Sequence, residues 1–216
     1  MKNIKLIIFD VDGVLIDSKQ NMKMSWEKLC EDNELNIKFQ EYFKYIGTSF
    51  KKILNKLKVY KNQKNLEKNY FMNSKKFIYK IKPYKGVNHE LKFLQKKYIL
   101  SIITSKNKNN TQTFLKKFFP KIKFSLICTP TKNLRPKPYP DLFNYTFKKL
   151  NILPINSLFV GDSIYDFQAS KNVKTNFVYA QYGYSKKKIN SKYIIKNISE
   201  LKKYLKNEDN KKLKHY

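Results

Sequence analysis

The chain has 216 residues, of which 46 are Lys or Arg and 16 are Asp or Glu, giving a formal net charge of +30 at pH 7. With 41% hydrophobic and 15% aromatic residues it can bury a real core, which excludes a disordered polyelectrolyte. No apolar run approaches the roughly 18 residues that a membrane span needs, and Cys30 and Cys128 stand too far apart for a zinc knuckle or a disulfide framework.

Residues 2–9 are predicted to form a buried strand, four apolar residues ending abruptly at Asp10. Asp10 and Asp12 cut this apolar stretch short and no small-residue cleavage site follows, so it reads as a strand and not as a secretion signal. From residue 17 to 82 the pattern changes. Trp26, Leu29 and Cys30, then Ile53, Leu54 and Leu57, recur at helical spacing with few β-branched residues between them, which predicts several amphipathic helices. Pro83-Tyr84-Lys85-Gly86 is a break, and a helix is expected over 87–94. An alternation follows: strands at 98–104, 124–128, 157–160, 175–180 and 193–195, with helices at 111–118, 140–150, 165–171 and 199–205. Residues 206–216 are charged and expected to fray.

Such alternation predicts an α/β fold, a parallel sheet with helices on both faces. Its ligand site should lie beyond the carboxyl ends of the strands, near the topological switch point. The excursion between the first two strands far exceeds a βα connection of about 2–6 residues. The expected organisation is therefore an α/β core over 1–16 and 83–206, an inserted helical domain over 17–82, and a charged tail over 207–216.

The carboxylates fall where that geometry gives them meaning. Asp10 and Asp12 follow the first predicted strand, Asp162 and Asp166 follow the strand at 157–160, and Thr104 and Ser105 end the strand at 98–104. If these strands are parallel neighbours, their ends set several carboxylates and two hydroxyls on one rim. Crowded carboxylates repel unless a cation joins them, and an all-oxygen set suits Mg²⁺. Gly13 permits a tight backbone path in the loop that carries the first two, and Lys137, within Arg135-Pro136-Lys137-Pro138, offers a point charge held by stiff neighbours.

With these residues in place the chain resembles the haloacid dehalogenase superfamily of phosphohydrolases. The four motifs of that family appear in order, as Asp10-Val11-Asp12-Gly13-Val14-Leu15, Thr104, Lys137-Pro138-Tyr139-Pro140-Asp141 and Gly161-Asp162-Ser163-Ile164-Tyr165-Asp166. The resemblance implies an α/β core of the Rossmann-like kind with a helical cap. It implies that Asp10 is the nucleophile, forming an aspartyl-phosphate, and that Asp12 is the general acid and base. It implies that Mg²⁺ is held by the Asp10 carboxylate, the Asp12 carbonyl and Asp162, with Asp166 closing the metal site from behind. Thr104, with Ser105 beside it, and Lys137 would bind the phosphoryl oxygens. Asp12 also favours phosphoryl transfer over dehalogenation, because dehalogenases of the superfamily lack this second aspartate.

The inserted segment resembles the cap of the phosphoglycolate phosphatase and β-phosphoglucomutase branch, with Gly47 and Thr48 where a substrate-facing loop falls. That loop lacks an arginine to clamp a second anionic group, although Lys51 or Lys52 could serve instead. A closing cap excludes water and bulky substrates. The reading is thus a cytoplasmic, Mg²⁺-dependent phosphatase acting on a small phosphorylated metabolite of the phosphoglycolate or sugar phosphate type. A phosphomutase of the β-phosphoglucomutase type is the alternative within the family. A polyanion-binding protein with an incidental site is the alternative of another class. Against the last, Arg135 is the single arginine and lysines run from Lys2 to Lys214, whereas nucleic-acid readers favour the forked guanidinium. The abundance of Lys, Asn, Ile, Tyr and Phe beside two alanines is the usage of an A+T-rich coding sequence. Neither nucleic acid nor membrane is expected as a partner, and the sequence does not specify an oligomeric state.

Overall fold

The computed structural model describes residues 1, 3–185 and 189–205. The predicted tail at 207–216 lies outside the described residues. Strand β1 (Leu6–Phe9) is wholly buried and sits at the centre of a six-stranded sheet. Flanking it are β4 (Ile99–Ile103) and β5 (Leu126–Cys128) on one side, then β6 (Ser157–Gly161), β7 (Asn176–Ala180) and β8 (Tyr193–Ile195) on the other. All five pairings are parallel, the α/β class expected from the strand–helix alternation.

Alternation of side chains across β1 explains why this four-residue apolar run has no polar face. Ile7 and Phe9 pack on one side of the sheet with Leu91 and Leu94 of α5 (Val87–Leu94) and Phe114 of α6 (Lys108–Phe118). Leu6 and Ile8 pack on the other with Leu142 and Phe143 of α7 (Asp141–Leu150) and Ala169 of α8 (Ile164–Asn172). Helix α6 begins three residues earlier than the apolar periodicity predicts, because the Asn107 side chain accepts a hydrogen bond from the Asn110 amide at 2.9 Å and caps the first turn. The final predicted helix is instead a 3₁₀ helix, Ile198–Tyr204.

Between β1 and β4 the chain forms α1 (Lys19–Asp32), α2 (Phe39–Phe43), α3 (Phe50–Lys56) and α4 (Gln63–Lys76). They enclose a third apolar cluster around Trp26, Leu29, Tyr42, Phe50 and Tyr70. The Trp26 ring stacks on Tyr42 at 4.4 Å between centroids, and its indole N–H donates to the Ile37 carbonyl at 3.0 Å. Two short strands that the sequence pattern did not indicate, β2 (Ile16–Asp17) and β3 (Lys82–Pro83), pair antiparallel where the chain leaves the sheet and where it returns. Two residues per strand are too few for any periodicity to register. Among the described residues no helix is long and apolar enough to cross a membrane.

Because Trp26 is fully buried and anchors the helical cluster through both its ring and its N–H, truncation should be costly. Trp26→Ala is expected to lower unfolding free energy by about 3–5 kcal/mol in a denaturant titration; a loss below about 1 kcal/mol would show that this cluster does not hold the helices together.

Candidate active site

The sheet register brings the candidate residues together. Phe9 pairs with Ile102 on one side and Val160 on the other, so Asp10, Thr104 and Asp162 emerge side by side where the three central strands end. The carboxylates of Asp10, Asp162 and Asp166 are all buried, and one oxygen from each lies within 4.8 Å of the others. Lys137 is fully buried behind them. Its Nζ is 3.0 Å from Asp10 Oδ2 and 2.5 Å from Asp166 Oδ1, and it donates to the Ile103 carbonyl at 3.4 Å.

The local sequence explains how each group is held. Asp10 continues β1, its amide donating to the Val160 carbonyl at 3.0 Å, and its Oδ1 accepts the Val11 amide at 2.8 Å. The chain then turns tightly, with the amides of Leu15 and Ile16 both donating to the Val11 carbonyl. Gly13 stands in that turn at φ +80°, and a Cβ there would fall on the Asp162 carboxylate, so glycine is needed both for the backbone and for the approach. Asp166 closes a capping box at the start of α8: Ser163 Oγ accepts the Asp166 amide, and Asp166 Oδ2 accepts from the Ser163 amide at 2.9 Å. Asp166 Oδ2 also accepts the Ser163 hydroxyl and the Asp162 amide, which leaves this carboxylate fully engaged.

Electrostatics of the cluster are dominated by burial. It pushes the Asp10 carboxyl up from 3.8 to about 6, against the pull of Lys137. Burial, then the charges of Asp166 and Asp10, raise Asp162 well above the carboxylate range. Burial alone would depress the Lys137 ammonium, but Asp10 and Asp166 outweigh it and hold it above its ordinary value. With all three carboxyls ionised, a single ammonium would leave two negative charges in a desolvated pocket of oxygen donors, which is why burial drives the Asp10 and Asp162 carboxyls towards holding protons. A divalent, oxygen-seeking ion matches that deficit in charge and in donor type, so the residues present fit Mg²⁺.

Asp12 is placed differently. Its side chain is not part of the buried trio; Oδ1 accepts the Ser18 hydroxyl at 2.5 Å and Oδ2 pairs with Lys106 Nζ at 3.1 Å. Tyr184 braces this arrangement. Its hydroxyl accepts the Ser18 amide at 2.6 Å while its own amide donates to Asp162 Oδ2 at 2.6 Å. Sequence reasoning passed over Ser18, Lys106 and Tyr184. Lys106 lies only two residues beyond the strand-end Thr104 but is one lysine among many, and Tyr184 meets Ser18 across 166 residues, so neither left a distinguishing local signal.

These groups open onto a cavity of about 610 Å³, including its mouth, lined by Asp10, Asp12, Thr104, Ser105 and Asp162 on the sheet side. Gly47 and Thr48 line it from the helical side. Ser105 Oγ donates to the Gly47 carbonyl at 3.0 Å, and Thr48 Oγ1 to the Lys137 carbonyl at 3.4 Å. Gly47 has φ +102°, and a Cβ there would collide with Ser163. Lys51 and Lys52, expected as a clamp, stand off the cavity wall. Lys51 is exposed, and Lys52 Nζ lies over the Tyr139 ring, 4.2 Å from its centroid.

Comparison with known proteins agrees with this architecture. Residues 7–180 match the family model described as haloacid dehalogenase-like hydrolase. A phosphoglycolate phosphatase from Aquifex aeolicus is 28% identical over 84% of this chain and 87% of its own length. A pyrophosphatase, PpaX, from Oceanobacillus iheyensis is 28% identical over 80% of this chain and 82% of its own. Among solved structures, a haloacid dehalogenase-like hydrolase from Streptococcus pneumoniae superposes with a TM-score of 0.84 at 18% identity, covering 95% of this chain and all of that one. A predicted phosphoglycolate phosphatase from Haemophilus somnus does so with a TM-score of 0.82 at 23% identity, over 94% of this chain and 99% of that one. The family model spans most of the sequence, from β1 through β7: this chain belongs to the haloacid dehalogenase-like hydrolase family.

Proposed function

We propose that this chain is a Mg²⁺-dependent phosphatase of the cytoplasm that hydrolyses a small phosphate monoester, of the type to which phosphoglycolate and sugar phosphates belong, through an aspartyl-phosphate. The observation that carries this reading is the charge deficit at Asp10, Asp162 and Asp166 around Lys137, opening onto a cavity lined by Thr104 and Ser105. The names of the Aquifex aeolicus and Oceanobacillus iheyensis relatives point the same way.

The roles follow from position. Asp10 and Asp162, with the Asp12 carbonyl, would hold Mg²⁺, and Asp166 would fix Lys137 from behind. Bound there, the ion supplies charge neutralisation between an anionic nucleophile and an anionic phosphate. A carboxylate oxygen of Asp10 forms a bond to phosphorus as the bond from phosphorus to the ester oxygen breaks, and Asp12 gives the departing oxygen its proton. Water then forms the new bond to phosphorus, its proton passes to Asp12, and the bond to Asp10 breaks to release inorganic phosphate. Thr104 donates its hydroxyl to a phosphoryl oxygen, with Ser105 adjacent. Lys137 balances charge on Asp10 and orients it. Lys106 and Ser18 hold the Asp12 side chain in reach of the departing oxygen. Gly47 and Thr48 present the cap side of the cavity to the substrate, and the helices over the site exclude bulk water.

Asp10→Asn keeps the size of the side chain and removes the nucleophile. Hydrolysis of a generic aryl phosphate by this variant is expected to fall at least about a thousandfold with an unchanged circular dichroism spectrum; full activity would refute the assignment. Phosphate should be released without a bisphosphorylated sugar primer, and an absolute requirement for one would indicate a phosphomutase. Retention of DNA or RNA surviving in Asp10→Asn, with no metal-dependent turnover by the unmodified protein, would favour polyanion binding instead.

Metal removal has a second readout. EDTA should abolish turnover, and Mg²⁺ should raise the thermal midpoint of the metal-free protein. Because the folded state raises the Asp10 carboxyl to about 6, its contribution to metal-free stability is present at low pH and lost as pH rises through that value. The ion offsets the lost term, so the Mg²⁺-induced shift should be largest near pH 7.5 and shrink towards pH 5, as protons compete for the same oxygens. A shift that grows on acidification would contradict the assignment of Asp10 to the metal.

A further inference from the structure

The two ends of the cavity are furnished differently. At the sheet end stand the carboxylates and the hydroxyls of Thr104 and Ser105. At the helical end Phe50, Ile53, Tyr70 and Phe71 supply apolar and aromatic surface, and Glu67 of α4 adds a carboxylate. Lys106 is the one cation among the described lining residues, and its ammonium is committed to Asp12 at 3.1 Å. Lys137 is sealed behind Asp10, while Lys52 is engaged with Tyr139 outside the cavity.

Glu67 is half-buried and forms no ion pair among the described residues. Lys51 acts on it through space from the exposed side of α3. Once a divalent ion balances the buried trio and Lys106 balances Asp12, Glu67 is the remaining charged side chain among the described residues that line the compartment where a departing alcohol must sit. A carboxylate or second phosphate on that alcohol would meet a like charge, and among the described lining residues no cation is left uncommitted to receive it. An ammonium or hydroxyl would find an acceptor, and an ammonium would also gain from nearby ring faces.

Resting on the phosphatase reading above, we propose that Glu67 selects esters whose leaving group carries no negative charge and presents a hydrogen-bond donor, an ammonium or a hydroxyl, to its carboxylate. Carbon of the same leaving group packs against Phe50, Tyr70 and Phe71. Of the two ester types named above, this favours the hydroxyl-bearing sugar phosphate over phosphoglycolate. It also disfavours the bisphosphorylated sugar that a phosphomutase must hold.

Three small esters test this with the Mg²⁺-loaded enzyme: phosphoethanolamine, glycerol 1-phosphate and 2-phosphoglycolate, with an aryl phosphate as reference. The kcat/KM of phosphoethanolamine or glycerol 1-phosphate should exceed that of 2-phosphoglycolate by about tenfold or more; whichever leads identifies ammonium or hydroxyl as the donor. Glu67→Lys should move the ratio of 2-phosphoglycolate to phosphoethanolamine by about a hundredfold towards the former, and Glu67→Gln should move it part of the way. A preference for 2-phosphoglycolate in the unmodified enzyme overturns the proposal. So does a ratio unmoved in both variants while they still hydrolyse the aryl phosphate. Failure of the unmodified enzyme on every ester, the aryl phosphate included, overturns the phosphatase reading and this inference with it.

Discussion

A single buried ammonium set among three buried carboxylates is the constraint on which the rest of the site depends. Ionised groups taken out of water are costly unless each finds a counter-charge and its hydrogen bonds. Lys137 reaches two of the three carboxylates, Asp10 at 3.0 Å and Asp166 at 2.5 Å. Asp166 is further satisfied by two amides and a hydroxyl, so the unbalanced charge is left on Asp10 and Asp162, the pair facing the cavity. The protein thus concentrates its deficit at the one place where a cation from solution could reach it.

Much of the surrounding structure can be understood as holding that cluster in register and tying the helices to it. Parallel pairing of β1 with both β4 and β6 sets three strand ends side by side, and the Gly13 turn lets Asp162 come within contact of the loop that carries Asp12. From the helical side, Ser18 bonds Asp12, Gly47 accepts from Ser105, and Thr48 donates to the backbone of Lys137. Tyr184 joins Asp162 to Ser18 through its amide and its hydroxyl. A movement of the helices that opened the cavity would therefore break contacts made by the same loops that present Asp10, Asp12 and Thr104.

The parallel sheet was legible because β1 and β6 are short apolar runs that each stop at an aspartate, a pattern that both locates a strand and marks its carboxyl end. Asp10, Asp12, Thr104 and Asp162 could be singled out on that basis, since strand ends are set by local composition. The β2–β3 ribbon was not legible, being two residues long on each side. Nor was the partner of Asp12: Lys106 is one of many lysines, and only the folded chain shows which of them turns inward. Lys51 and Lys52 illustrate the converse, for proximity in sequence to Gly47 and Thr48 suggested a clamp, yet neither is among the residues that line the cavity. Glu67 and Tyr184 belong to the cavity and its bracing through packing across long stretches of chain, information that no window of residues contains.

The central claim is that the buried carboxylates exist to hold a divalent ion, and locating that ion tests it most directly. Crystals grown with Mn²⁺ in place of Mg²⁺ and measured above the manganese absorption edge should give an anomalous peak touching the carboxylates of Asp10 and Asp162, and that peak should vanish in Asp162→Asn. Density at Asp10 with no anomalous signal at millimolar Mn²⁺ would contradict the account, as would a peak that persists undiminished without the Asp162 carboxylate.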